Sequence, residues 1–257
     1  MDWNPGFFER LKQKAGFLIG TWAKIPSLET VEMIGHAGFD FAVIDMEHAP
    51  HDLQSAFHAI AYGQGAGLSM LARAPDRSSS VTQRLLDGGV DGILVPRVET
   101  AEQAAEVTAA MVFPPLGTRG MGYTSRAGRW CLDPVDSYLD RGRNAILRGV
   151  QVEDTGALEN IEAILAAPAL NSLFIGFGDL TLSTGLPASH PTLLALEAKA
   201  LAAANERGIP VGTAVVTPAE AVRCRDIGYS YVMISADTTI FARATRGLID
   251  ETRRALG

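Results

Sequence analysis

The stretch FAVIDMEHAPHDLQSAFHAIAYGQGAG, residues 41–67, holds one complete structural unit and decides how the rest is read. It opens on FAVIDM (41–46), apolar at nearly every position. Such a run is expected of a parallel strand buried on both faces, not of a half-exposed strand that alternates. Its second half, DLQSAFHAIAYGQGAG, has helical periodicity, an acidic start and a glycine near the end, the usual helix stop. Between strand and helix, Asp45, Glu47 and His48 crowd together, three titratable groups at one strand end.

The same unit recurs along the chain. Further apolar runs are FLIGTW (17–22), SMLARA (69–74), GILVPRV (92–98), GVQVE (149–153), SLFIGF (172–177), PVGTAVV (210–216) and YVMIS (231–235), which makes eight with the first. Segments of helical period lie between most of them, among them SLETVEMIGHAGF, SSSVTQRLLDGG, TAEQAAEVTAAM, TGALENIEAILAAP, HPTLLALEAKALAAANERG and TPAEAVRCRDIG. Eight strands alternating with helices in 257 residues predict an α/β fold, a (β/α)8 barrel over residues 1–257 as a single domain, in preference to a doubly wound sheet. The longest interruption, residues 113–146, is rich in Gly, Pro and Arg and reads as a βα-type excursion that carries function.

Composition narrows the partners. Of the residues, 47% are apolar and 20% charged, the profile of a globular chain with a large core. A formal charge of −7 argues against the basic surface that nucleic acid requires, so no nucleic-acid partner is expected. Cys131 and Cys224 are far apart with no ligand-like spacing and read as free thiols in a reducing compartment. The opening MDWNPGFFERLKQKAG has charges inside its first apolar stretch, and no apolar run later is long enough to span a bilayer. A cytoplasmic protein without membrane contact is expected.

In a barrel of this kind the chemistry sits at the C-terminal ends of the strands. Polar residues at those ends are Asp45, Glu47 and His48 on the second, Arg73 on the third, Arg97 on the fourth, Gln151 and Glu153 on the fifth, Asp179 on the sixth and Asp237 on the eighth. Glu153 and Asp179 end adjacent strands. Two carboxylates converging on one mouth repel unless a cation lies between them, which points to a hard divalent ion; the alternative is two separately solvated loop carboxylates. Arg73 is placed to stabilise an enolate or carboxylate oxygen, or else forms a structural salt bridge. Asp45 with His48 reads as a dyad in which the carboxylate fixes the imidazole tautomer for proton transfer, against a plain loop histidine. Arg97 reads as structural or peripheral, and His36 and His58 as helix residues. No strand-end lysine is seen that could form a Schiff base.

Two glycine-rich stretches mimic nucleotide motifs and fail. GFGDLTLSTG (176–185) has Thr181 where a dinucleotide fingerprint needs its third glycine. Its glycines more simply let backbone amides approach a small anion beside Asp179. PPLGTRGMG (114–122) lacks the Gly-Lys-Ser/Thr of a phosphate loop and presents Arg119 on a turn.

Taken in order, IDMEHAP (44–50), LVPRVETAEQA (94–104), PPLGTRGMG with SRAGRW (114–130), QVED (151–154) and IGFGDLTLSTG (175–185) resemble the class II pyruvate aldolases of the HpcH/HpaI aldolase/citrate lyase family, related to 4-hydroxy-2-oxoheptanedioate and 2-dehydro-3-deoxyglucarate aldolases. The resemblance runs from GTW (20–22) to DTTIFARA (237–244). It implies a TIM barrel of the phosphoenolpyruvate/pyruvate-binding type and reversible cleavage of 4-hydroxy-2-oxo acids to pyruvate, or a 2-oxo acid such as hydroxypyruvate, and an aldehyde. It further implies Glu153 and Asp179 as ligands of Mg²⁺, Mn²⁺ or Co²⁺, Arg73 beside the enolate oxygen, and His48 with Asp45 for proton transfer. Gln151 with the amides near Gly178 and Asp179 would hold the pyruvyl unit, with Glu47 and Arg119 as supporting residues. The resemblance also implies a homohexamer, a trimer of dimers with the C-terminal helix exchanged between subunits, working in aromatic or sugar-acid catabolism. Met46 and Phe177 depart from the Asp-Gly-Glu-His and Gly-Pro-x-Asp-Leu of sugar-acid aldolases and are expected to alter the lining near metal and pyruvate. The competing readings are a lyase of malyl or citramalyl thioesters and a non-catalytic metabolite-binding barrel.

Overall fold

The computed structural model describes residues 5–14 and 16–257; residues 1–4 and 15, part of the opening stretch read above, lie outside it. In chain order the elements are α1 (Phe7–Gln13), β1 (Leu18–Ala23), α2 (Leu28–His36), β2 (Phe41–Asp45), α3 (Leu53–Gly65), β3 (Ser69–Arg73), α4 (Ser79–Asp87), β4 (Gly92–Val95) and α5 (Ala101–Ala109). A 3₁₀ segment (Arg126–Cys131) and α6 (Val135–Asn144) come next, then β5 (Leu147–Val152), α7 (Thr155–Glu159), α8 (Ile161–Ile164), β6 (Ser172–Ile175), α9 (Phe177–Thr184) and α10 (Pro191–Glu206). The chain ends with β7 (Val211–Val215), α11 (Pro218–Ile227), β8 (Tyr231–Ala236) and α12 (Asp237–Leu256). All eight strands pair in parallel, each with its sequence neighbour, and β8 closes on β1. The (β/α)8 barrel expected from the sequence is the observed fold.

Strand parity sorts the residues into two cores, because successive side chains point to opposite faces. Leu18, Trp22, Phe41, Val43, Leu71, Leu94, Leu147, Phe174 and Tyr231 fill the barrel interior. Ala42, Ile44, Met70, Ala72, Ile93, Val95, Val150, Val152, Leu173 and Ile175 face outward and pack under the helices. Large interior rings fit because glycine stands opposite: a Cβ on Gly212 would lie 2.0 Å from the Tyr231 ring, and one on Gly20 2.4 Å from Phe41. At the N-terminal end Phe7 of α1 plugs the barrel, edge-on to Phe41 at 5.5 Å and Tyr231 at 5.1 Å.

Helix starts follow the local sequence. Asp52 and Ser55 form a reciprocal capping box on α3, Thr217 and Glu220 another on α11, and Ser27, Thr100 and Asp154 cap α2, α5 and α7. Gly185 and Gly228 end α9 and α11 in the left-handed conformation. His36 and His58 lie in α2 and α3 as expected. Both cysteines are free thiols, Cys224 buried and Cys131 exposed. No helix among the described residues is long and apolar enough to cross a membrane.

One organisational expectation is corrected. The excursion at 113–146 follows α5 and leads into β5, so it is a helix-to-strand connection and lies at the N-terminal rim, away from the strand ends that carry polar groups. Its contacts are with α3 and α4: Arg126 donates to Gln64 Oε1 at 2.7 Å, and Gln83 and Gly120 exchange two hydrogen bonds. Phe113, Ala127 and Tyr138 give it a small core of its own. Arg119 goes with it, buried beside Asp87 at 3.6 Å and over the Phe113 ring at 4.4 Å, and is not a neighbour of Glu153 or Asp179.

Candidate active site

The interior parity that places Phe41 and Val43 inside the barrel carries on to Asp45, and the same count on β3 runs from Leu71 to Arg73. Register then sets these two residues side by side, since Asp45 and Arg73 are Cα partners in the β2–β3 ladder. Arg73 donates from Nε to Asp45 Oδ1 at 3.0 Å and from Nη2 to Oδ2 at 2.7 Å, a bidentate pair with Asp45 fully buried. Its Nη1 lies 3.2 Å from Glu47, and its guanidinium stacks on Trp22 at 4.4 Å. Burial alone would raise the Asp45 carboxyl. The two bonds from Arg73, the Lys24 ammonium and the His48 amide outweigh it and hold the group well below the usual carboxylate range.

His48 does not meet Asp45 through its ring. Asp45 Oδ1 accepts the backbone N–H groups of Glu47 and His48, each at 3.1 Å, which pins the turn after β2. The imidazole, half exposed, has Nε2 at 3.6 Å from Glu47 Oε2. The partner expected from sequence spacing is therefore replaced by Glu47, because the Asp45 oxygens point inward to two cations.

Two residues given little or no weight in the sequence belong to the cluster. Lys24 follows β1 directly, in step with Leu18, Gly20 and Trp22, and its Nζ is 2.7 Å from Asp45 Oδ2. A strand-end lysine is thus present, and counting β1 by twos would have found it. Arg97, read as structural or peripheral, ties the ends of two strands together: its amide donates to Glu153 Oε1 at 3.0 Å while Nε and Nη2 reach Glu47 Oε1 at 3.0 and 2.6 Å. Its backbone has φ of 54°, the left-handed region that costs a non-glycine residue strain and that concentrates at functional sites.

Gln151 and Glu153 project from β5 on the interior face, and Gln151 Nε2 donates to Glu153 Oε2 at 2.5 Å. β6 ends at Ile175, so Asp179 sits in the first turn of the short helix α9 and not on the strand itself. The close approach is made at Gly176, where a Cβ would fall 2.9 Å from Glu153 Oε2 and 3.0 Å from Gln151 Nε2. Burial raises the Glu153 carboxyl to about 6, with the charges of Asp179 and Glu47 pushing the same way against bonds from Gln151 and the Arg97 amide.

That arrangement suits a hard divalent cation. The Glu153 carboxyl is raised first by burial and further by the charges of Asp179 and Glu47, so added positive charge there would be favourable, and the missing side chain at Gly176 lets the backbone come close to it. Among the described residues no three His, Cys, Asp or Glu side chains form a ligand set, so Glu153 and Asp179 would leave most positions of such an ion to substrate and water. Met46, which follows Asp45 with outward parity, and Phe177, the first residue of α9, are partly buried and pack against the core layer between strands and helices.

Comparison with known proteins agrees over nearly the whole chain. The model of the HpcH/HpaI aldolase/citrate lyase family matches residues 18–244. A 2-keto-3-deoxy-L-rhamnonate aldolase of Klebsiella pneumoniae subsp. pneumoniae is 34% identical over 244 residues, 94% of this chain and 90% of that one. Among solved structures, an HpcH/HpaI aldolase/citrate lyase family protein from Burkholderia cenocepacia J2315 is 32% identical with a TM-score of 0.86, covering 95% of this chain and 99% of its own. An HpcH/HpaI aldolase from Desulfitobacterium hafniense DCB-2 is 25% identical with a TM-score of 0.89, over 96% and 97%.

Proposed function

This chain belongs to the HpcH/HpaI aldolase/citrate lyase family, and on that premise we propose that it is a class II aldolase, a carbon–carbon lyase. It cleaves 4-hydroxy-2-oxo acids reversibly into pyruvate, or a related 2-oxo acid such as hydroxypyruvate, and an aldehyde. The observation that carries the reading is the buried Glu153 carboxyl, raised to about 6 beside Asp179, at a mouth in which Arg73 is already oriented by its bidentate bond to Asp45. Burying such charges costs several kcal/mol per ion, which packing alone does not repay.

Glu153 and Asp179 would hold a divalent cation, Mg²⁺, Mn²⁺ or Co²⁺, which would supply positive charge to stabilise the developing enolate. The chain's own groups do the rest. Arg73 donates hydrogen bonds to the oxygen on which enolate charge develops. Gln151 and the first-turn amides of α9 at Gly178 and Asp179 hold the substrate carboxylate, as a helix N-terminus favours an anion. His48, at the solvent edge beside Glu47, takes the proton of the C4 hydroxyl. The C3–C4 electrons then pass into the C2–C3 enolate, the aldehyde leaves, and a proton returns to C3.

The name of the Klebsiella relative supplies the first substrate to try, 2-keto-3-deoxy-L-rhamnonate. The test is pyruvate release from this and other 4-hydroxy-2-oxo acids with each metal, alongside a malyl thioester. Activity on the free acids, lost in EDTA, is expected; cleavage confined to the thioester contradicts the reading. The proposal extends to assembly. On α12 Phe241, Leu248 and Leu256 are exposed, which suits a helix that docks on another copy, and a hexamer is expected by light scattering.

A further inference from the structure

Arg73 is fully engaged before any substrate arrives. Two of its nitrogens bond Asp45 and the third faces Glu47, so a guanidinium that is to serve an enolate oxygen must loosen its hold on buried carboxylates. Left uncompensated, those carboxylates would oppose the move, because stranding one partner of a buried pair is strongly unfavourable.

A second cation already stands on each of them. Lys24 Nζ lies on Asp45 Oδ2, the same oxygen that accepts from Arg73 Nη2. Arg97 holds Glu47 Oε1 while Arg73 is at Oε2. Lys24, Asp45, Arg73, Glu47 and Arg97 thus alternate in charge across the ends of β1 to β4. The backbone keeps Lys24 in place, since its amide and that of Ile25 donate to the buried Asp237 carboxylate at 3.0 and 2.9 Å.

We propose that Lys24 is a positioning residue for enolate formation: it remains on Asp45 as Arg73 turns to the substrate oxygen, so the turn leaves no bare buried charge. This rests on the proposed aldolase reading, which puts a substrate oxygen beside Arg73. Arg97 serves Glu47 in the same way. Without Lys24, Asp45 depends on Arg73 alone and retains it, which slows formation of the enolate while leaving ground-state binding of pyruvate nearly as it was.

The test compares the full-length protein with Lys24→Met and Lys24→Arg, loaded with Mn²⁺. Three quantities are read: deuterium exchange into the pyruvate methyl group, affinity for oxalate, a planar dianion shaped like the enolate, and thermal midpoint. For Lys24→Met the exchange kcat is expected to fall ~10–100-fold with KM within about threefold, in the range seen when a supporting residue is removed, and oxalate to bind about tenfold more weakly. Lys24→Arg restores both to within about threefold, as the charge is what matters. Exchange and oxalate affinity both within about twofold of wild type in Lys24→Met, with only the midpoint lowered, would mark a structural salt bridge and overturn the inference. So would a Lys24→Arg protein no better than Lys24→Met. A wild-type protein that exchanges nothing with Mg²⁺, Mn²⁺ or Co²⁺ overturns the aldolase reading itself, and Lys24 with it.

Discussion

The two ends of the barrel use arginine in opposite ways. At the N-terminal rim Arg10 donates to the carbonyls of Pro5 and Gly67, Arg126 to Gly88, Arg141 to Ala127, and Arg148 to Ala169, Arg143 and Ile146. At the C-terminal rim Arg73 and Arg97 end on the carboxylates of Asp45 and Glu47. Burial lowers the pKa of Arg126, Arg141 and Arg148, whereas the bonds to Glu47 raise that of Arg97. Arginine on a carbonyl crosslinks chain ends, even where, as for Arg141 beside Asp133 at 3.6 Å, a carboxylate also stands near. Arginine on a shared carboxylate belongs to a set of charges that a substrate can enter.

Substitutions at the two rims should therefore separate activity from stability. The largest effect is expected from Glu153→Gln, which removes half of the protein's ligand pair: cleavage should fall by ~10³-fold or more, matching EDTA treatment of wild type, as several kcal/mol of charge stabilisation are lost. Arg73→Met should lower kcat ~10²–10³-fold, the cost of losing one donor to a developing oxyanion. Gly176→Ala should cost ~10–100-fold, because its Cβ displaces Glu153 and Gln151 from below without changing any charge. At the other rim Arg119→Met should leave kcat unchanged and lower stability by ~1–3 kcal/mol, read as a shift of about 2–8 °C in the thermal midpoint. A fall in kcat with an unmoved midpoint would erase the contrast.

A further effect, on stability and not on turnover, is one of pH. Burial raises the Asp91 carboxyl at the start of β4 from 3.8 to about 6, against bonds from Gln64 and the Met70 amide. A carboxyl whose folded-state pKa is raised binds more protons folded than unfolded between those values. Its contribution is fully present below pH 4 and is lost as the pH rises through about 6. Asp91→Asn keeps an acceptor oxygen but cannot titrate, so denaturant melts at pH 4 and pH 7 should show wild type losing up to about 3 kcal/mol relative to the variant. A constant difference would place Asp91 among ordinary surface carboxylates.

Much of this was legible because parallel strands buried on both faces leave unbroken apolar runs, and the residues that end them are the ones the mouth uses. FAVIDM and SMLARA alone locate Asp45 and Arg73. Their bond was not legible, because it depends on the register between two strands, and spacing along one strand suggested His48 instead. Lys24 is hidden because the apolar run FLIGTW (17–22) ends two residues before it, although parity from Trp22 points it inward. The excursion was assigned to the wrong rim by its arginine and glycine content, when its place after a helix and before a strand is what fixes the side. Met46 and Phe177 stand out by substitution in a motif, and both pack in part against the outer core.

The central claim is that the C-terminal mouth makes a pyruvate enolate with a divalent cation, and exchange of the pyruvate methyl protons in deuterium oxide tests it without any knowledge of the aldehyde. Proton NMR should show the methyl signal decaying with Mg²⁺, Mn²⁺ or Co²⁺, stopping in EDTA, absent in Glu153→Gln and intact in Arg119→Met. Exchange that persists in EDTA, with borohydride fixing pyruvate onto Lys24, would contradict it.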